Sequence, residues 1–109
     1  MSKTGTDWYL QVKLETDNDA EVDTSLAYLE NNIRFSLKSV FGEVGAALPF
    51  SVLQFSSRTR QAVVRCSHTG LVKLRTALTL QRSYQGAACC YTVCRASPSL
   101  LALSHGEEQ

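Results

Sequence analysis

Apolar residues along this chain recur at a spacing of two, then three to four, then two in two separate runs, then three to four, then two again. That order restricts the fold more than any other feature of the sequence. Trp8, Leu10, Val12 and Leu14 alternate with Tyr9, Gln11, Lys13 and Glu15, the period of a half-buried strand. The polar, acidic run from Thr16 to Asp23 ends that strand and supplies helix-start chemistry, with Asp23, Thr24 or Ser25 as the N-cap. Leu26, Leu29, Ile33, Leu37 and Val40 then recur at helical spacing to about Phe41, and Gly42 stands where a C′ glycine belongs. Leu48 to Phe55 reads as a second strand entered through Pro49, and Ala62 to Cys66 as a short, β-branched third. Between them Gln54 to Gln61 makes a polar hairpin loop with Arg58 and Arg60 at its tip. Leu71, Leu74 and Leu78 form the stripe of a second helix capped by Ser67 or Thr69, with Lys73 and Thr76 on its far side and Arg75 at the rim. Ser83-Tyr84-Gln85-Gly86 reads as a turn, and Ala88 to Ala96 as a fourth strand that Pro98 stops.

The resulting β-α-β-β-α-β order predicts an α+β fold of the ferredoxin-like, split βαβ kind. Its four-stranded antiparallel sheet carries both helices on one face and leaves the other free for a partner. A length of 109 residues suits one domain over 1–109 and is too short for two. Residues 1–6 and 104–109 read as flexible tails. The 44% hydrophobic content fits a packed core, and no apolar run approaches the ~20 residues of a membrane helix. Met-Ser-Lys-Thr-Gly-Thr-Asp at the N-terminus has no apolar stretch of a secretory kind, which leads to the expectation of a reducing compartment. Cys66, Cys89, Cys90 and Cys94 contain no C-x-x-C pair. Cys66 with His68, and Cys90 with Cys94 on one strand face, are conceivable metal ligands; reduced cysteines packed as small hydrophobes are the better reading.

The net charge of +1 conceals an asymmetry. No carboxylate falls between Val44 and Gly106, a stretch that holds Arg58, Arg60, Arg65, Lys73, Arg75, Arg82 and Arg95. Cations without local partners are free for phosphates, which makes Arg58, Arg60, Arg65, Lys73, Arg75 and Arg82 the candidate RNA contacts. The plainer alternative is that the acidic and basic parts interleave in space.

Catalytic chemistry finds little support. Only His68 and His105 could serve as a base, and no G-x-S-x-G elbow, Walker loop or H-E-x-x-H helix is present. An RNA-recognition sheet would stack bases on aromatics of its central strands. The third strand has none, although Tyr9 and Tyr91 could face the open side. Tyr28 and Phe35, seven residues apart, project away from the core stripe of the first helix, and Leu100, Leu101 and Leu103 form a second apolar patch. These five are the candidate partner contacts, unless the C-terminal segment folds back over the aromatics.

Three stretches are more specific. They are Phe41-Gly42-Glu43-Val44-Gly45-Ala46-Ala47-Leu48-Pro49; Thr69 to Leu80 continuing to Ser83-Tyr84-Gln85-Gly86; and Ser97-Pro98-Ser99-Leu100-Leu101-Ala102-Leu103-Ser104. Together they closely resemble the fourteen-kilodalton, Pop-five-related family of protein subunits of eukaryotic ribonuclease P. The resemblance implies a non-catalytic subunit, with no cofactor and no small-molecule substrate, of the nuclear and nucleolar ribonucleoprotein that removes 5′ leaders from precursor tRNA. In that family the RNA cleaves with metal ions. The implied partners are ribonuclease P RNA, a thirty-kilodalton TIM-barrel-like subunit and the Pop-five subunit; no membrane is involved. A free-standing RNA-binding module and a small metabolite-binding regulatory domain stand as alternatives.

Overall fold

The period-two segment at the start of the chain becomes β1 (Asp7–Thr16) in the computed structural model, which describes residues 7–17 and 22–99. Its even-numbered residues Leu10, Val12 and Leu14 are buried with Leu29, Ile33 and Leu37 of α1 (Leu26–Ala46) and Leu74, Ala77 and Leu78 of α2 (Leu71–Leu80). Both helices therefore lie on the even-numbered face of β1. The order continues through β2 (Phe50–Phe55) and β3 (Gln61–Ser67) ahead of α2, and through β4 (Ser83–Tyr84) and β5 (Ala87–Ser97) after it. The strands form a sheet in the order β2-β3-β1-β5-β4, every neighbouring pair antiparallel. The predicted tails 1–6 and 104–109 lie outside the described residues, as do Leu100, Leu101 and Leu103. None of the described helices is long and apolar enough to cross a membrane.

Among the described residues the sheet has five strands where periodicity predicts four. The additional one is the Ser83–Tyr84 half of the expected turn, which pairs with Ala88 and Ala87. Gln85 and Gly86 take φ of 54° and 81°, the two left-handed residues of a type I′ hairpin turn. Two residues are too few to show a period of two, so the strand is invisible to patterning.

Helix α1 starts at Ser25, whose hydroxyl accepts from the Tyr28 N–H at 3.2 Å, while Asp23 accepts from the Ser25 N–H at 2.9 Å. Gly42, with φ 69° and ψ −148°, interrupts the helix after Phe41, and one further turn follows. The two ends of the predicted stripe, Leu26 and Val40, stay partly exposed because the core lies under the middle of the helix. Ser67 caps the approach to α2 by accepting from the Gly70 N–H at 3.2 Å. The helices run antiparallel: Ser36 Oγ donates to the Ala77 carbonyl at 2.8 Å, and Gln81 Nε2 to the Asn32 carbonyl at 3.3 Å.

Two bulges set which side chains face which way. Between β1 and β5, Val12 pairs with Val93 and Gln11 with Arg95, so Cys94 is an extra residue. Strict alternation from Tyr91 and Val93 would turn Arg95 into the core; the bulge turns it outward and Ala96 inward. Between β2 and β3, Leu53 is likewise extra, which lets Phe55 return to the core side.

Candidate interaction surfaces

The sheet face away from the helices carries the odd-numbered residues of β1 and their ladder partners. Tyr9 lies between Arg65 and Ser97, Gln11 between Val63 and Arg95, and Lys13 between Gln61 and Thr92. Gln11 and Val63 form a floor only 6% and 5% exposed. Gln11 Nε2 donates to Gln61 Oε1 at 3.0 Å, so the floor's amide is tied down. Arg65 and Arg95 are exposed, and Lys13 meets Glu15 at 3.8 Å. Tyr91 is not on this face. It is buried beneath the helices, its hydroxyl donating to Asn32 Oδ1 at 2.7 Å, and burial pushes its pKa up.

At one end of this face, Lys13, Glu15, Thr16, Ser57, Arg58, Thr59 and Arg60 line an open, polar cleft of about 380 Å³. Arg58 is exposed at the β2–β3 turn. Arg60 is folded back rather than at the tip. It takes φ 60°, its carbonyl accepts from the Leu14 N–H at 2.9 Å, and its guanidinium donates to Thr16 Oγ1 at 3.3 Å. Lys73, Arg75 and Arg82 belong to α2 and the segment after it, on the helical side of the sheet, where Lys73 lies 5.7 Å from the centre of the Phe41 ring. The six cations read from the sequence are thus divided between two sides of the molecule. Sequence reasoning missed Lys13 and Arg95 as their companions. Lys13 was legible from the β1 alternation, whereas Arg95 was hidden by the bulge.

On the helical side Phe35 is 67% exposed, and α2 adds Val72 at 73% and Leu80 at 56%. Tyr28 is not free in the same sense. Its ring packs against that of Tyr84, tilted by 51° with centroids 5.2 Å apart, and Tyr84 is fully buried with its hydroxyl donating to the Asp23 carbonyl at 2.7 Å. Burial, then the Asp23 charge, raise the Tyr84 pKa to about 12. The predicted aromatic pair therefore separates into one residue with an internal partner and one open to solvent.

Cys66 and Cys89 are buried and Cys90 and Cys94 exposed, all four as free thiols. Burial, supplemented by Asp7, lifts the Cys66 thiol to about 11; burial and Cys90 lift Cys89 to about 11. Both are protonated at neutral pH and unsuited to nucleophilic or ligand duty. His68 sits with its ring centre 6.2 Å from that of Trp8. Among the described residues no three His, Cys, Asp or Glu side chains converge.

Comparison with known proteins adds a family to this geometry. The model of the Rpp14/Pop5 family matches residues 9–104. The chain is 42% identical over 96 residues to Ribonuclease P protein subunit p14 of Homo sapiens, covering 88% of this chain and 77% of that protein. It is 41% identical over 96 residues to the Mus musculus protein of the same name, covering 88% and 78%. A chain in the cryo-EM structure of yeast Ribonuclease MRP superposes with a TM-score of 0.77, covering 99% of this chain and 93% of that one; at 16% identity the likeness is one of fold.

Proposed function

The chain belongs to the Rpp14/Pop5 family, and from that premise we propose that it is a non-catalytic protein subunit of the nuclear ribonuclease P ribonucleoprotein. The reading is carried by the family match over residues 9–104 together with 42% identity to a ribonuclease P protein subunit. In this role the chain supports removal of 5′ leaders from precursor tRNA, the cleavage itself being performed by the RNA. Its partners are ribonuclease P RNA, the thirty-kilodalton TIM-barrel-like subunit and the Pop-five subunit, and it works in the nucleus and nucleolus. We read the fold as the ferredoxin-like split βαβ plan with β4 as an appended edge.

The two sides of the molecule divide the work. The helical side, with Phe35, Val72 and Leu80 open to solvent, meets protein, and Leu100, Leu101 and Leu103 are further contacts to a protein partner. Lys73, Arg75 and Arg82 lie on this side and serve the protein partner's carboxylates or the flanking RNA. Arg58 and Arg65 lie on the other side and serve RNA, while Arg60 holds the β2–β3 turn to β1. Gel filtration of the full chain with the thirty-kilodalton subunit tests the assignment. Co-elution is expected, and Phe35→Ala should weaken it by about 30-fold, the loss of roughly 2 kcal/mol typical of an interface aromatic, with the melting temperature unchanged. A chain that elutes alone beside both the thirty-kilodalton and Pop-five subunits contradicts it.

A further inference from the structure

Large apolar side chains are distributed unevenly over this surface. Among the described residues the exposed ones are Leu26, Tyr28, Phe35, Val40 and Val44 on α1, Val72 and Leu80 on α2, and Leu53 at the β2 bulge. None belongs to the open face of β1, β3 and β5. A protein docking there would find Leu53, at the β2 edge, as its one exposed large apolar group among the described residues, whereas the core of a protein interface depends on several such groups. The face offers cations, hydroxyls and one aromatic ring instead.

Those cations are spread along the ladder. Lys13, Arg95 and Arg65 stand at three successive levels of the ladder, those of Lys13, Gln11 and Tyr9 in β1. Same-face levels along a strand are about 6.6 Å apart. The three lie on β1, β5 and β3, with neighbouring strands about 4.8 Å apart, so their backbones are separated by about 8 Å from Lys13 to Arg95 and about 12 Å from Arg95 to Arg65, distances that long side chains close in bringing their charges to a phosphate backbone. The Cys94 bulge creates the middle member, since without it Arg95 would point into the core. Arg65 and Arg95 have no ion-pair partner among the described residues. Lys13 is paired with exposed Glu15 at 3.8 Å, a contact weak enough to be exchanged for a phosphate. Asp7 and Glu15 sit on the same face near opposite ends of β1, so the carboxylates bracket the cations. Half-buried Tyr9 lies between Arg65 and Ser97, at the Arg65 end.

We propose that the open sheet face is a track for the backbone of a single-stranded RNA segment, held by Lys13, Arg95 and Arg65 at successive ladder levels with Tyr9 as a stacking platform. The identity of the polyanion rests on the ribonucleoprotein reading; the track itself rests on the ladder geometry. Specificity is low, because the contacts are to phosphates and to a base plane rather than to base edges.

Fluorescence anisotropy of the full chain with a labelled oligouridylate of about twelve nucleotides tests this. Three phosphate contacts give a slope of log K against log salt of about −2, and Lys13→Gln, Arg65→Gln or Arg95→Gln should each reduce its magnitude by about 0.7. Tyr9→Ala should weaken binding about fivefold or more. Arg95→Lys should retain the slope, and Lys38→Gln, an exposed cation on α1, should leave it untouched. The proposal is overturned if the triple Gln variant, with an unchanged melting temperature, keeps the full slope. It is equally overturned if the chain ignores the RNA, or prefers an oligoglutamate peptide, the outcome that would make this face a protein site. Oligouridylate binding without co-elution with the protein subunits would sink the subunit reading and leave the track standing; the converse result would sink the track alone.

Discussion

Arg34 illustrates how much of this structure rests on single side chains that no motif marks. From α1 its guanidinium donates to the carbonyls of Ala46 and Leu48 at 3.0 and 3.3 Å, lies 4.4 Å above the centre of the Phe50 ring and meets Glu30 at 3.5 Å. It thereby satisfies the carbonyls left open as the chain leaves the helix for β2. Arg34→Ala should lower unfolding free energy by about 1.5–3 kcal/mol in urea titration, the range for hydrogen bonds to charged groups. Arg34→Lys should recover only part, because a point charge cannot serve both carbonyls and stack on Phe50. The buried thiols give a pH signature. Cys66 and Cys89 rise from 9.0 to about 11 on folding, so the unfolded chain loses these protons first. Their contribution is fully present below pH 9 and is lost as pH rises to about 11, with Tyr84 extending the fall from 10.0 to about 12. Melting temperatures followed from pH 8 upward should fall through this window, and less steeply in Cys89→Ala. Native-state alkylation should modify Cys90 and Cys94 quickly and Cys66 and Cys89 only on unfolding. The sequence had the cysteines as small hydrophobes, which describes Cys66 and Cys89; the period of two along the last strand, which turns Cys89 inward with Tyr91 and Cys90 outward, could have separated that pair.

At the scale of elements, α1 breaks at Gly42, where the sequence places a C′ glycine, but resumes for one further turn to Ala46 instead of ending there. Gly42 combines φ 69° with ψ −148°, a region that side chains beyond glycine hardly enter. Gly42→Ala should therefore cost about 1–3 kcal/mol, although a Cβ there meets nothing within 4 Å. Gly45→Ala fails differently: its Cβ would strike the Leu37 carbonyl oxygen, and would lie 2.8 Å from the Phe41 Cβ. Comparing the two by urea unfolding separates backbone strain from overlap, since Gly42→Asn should cost about as much as Gly42→Ala, this φ/ψ lying outside the left-handed region that Asn tolerates, while Gly45→Asn should cost more than Gly45→Ala. Both helices, β1, β2, β3 and β5 were legible because each is long enough to display its period. β4 was not, and neither bulge was, because a single extra residue leaves the apolar pattern of a short strand readable in two ways. The consequence reached the candidate site: Arg65 was identified, but its neighbour Arg95 was assigned no role. Tyr91 was left open to the wrong face, though strand alternation with Cys89 and Val93 places it inward.

For the whole molecule, the separation into an apolar helical side and a polar, cationic sheet side follows from the split of buried and exposed residues on seven elements. Net charge alone, at +1, gives no hint of it. The basic stretch of sequence does not become one basic patch, because β3 and β5 flank β1 while α2 crosses the opposite face. Two of the three stretches that carry the family resemblance have visible structural roles: the Gly42 break, and the Gly70 entry to α2 with the Gln85-Gly86 turn after it. The proposed function makes this chain a working part of a ribonuclease P-type ribonucleoprotein. Its most direct test is to purify the tagged full chain from nuclear extract and assay the eluate for cleavage of precursor tRNA at the 5′ leader. Co-purifying RNA and protein subunits are expected, with a leader-removing activity destroyed when that RNA is digested. A chain recovered without RNA and without activity, from cells in which it is stably folded, would contradict it.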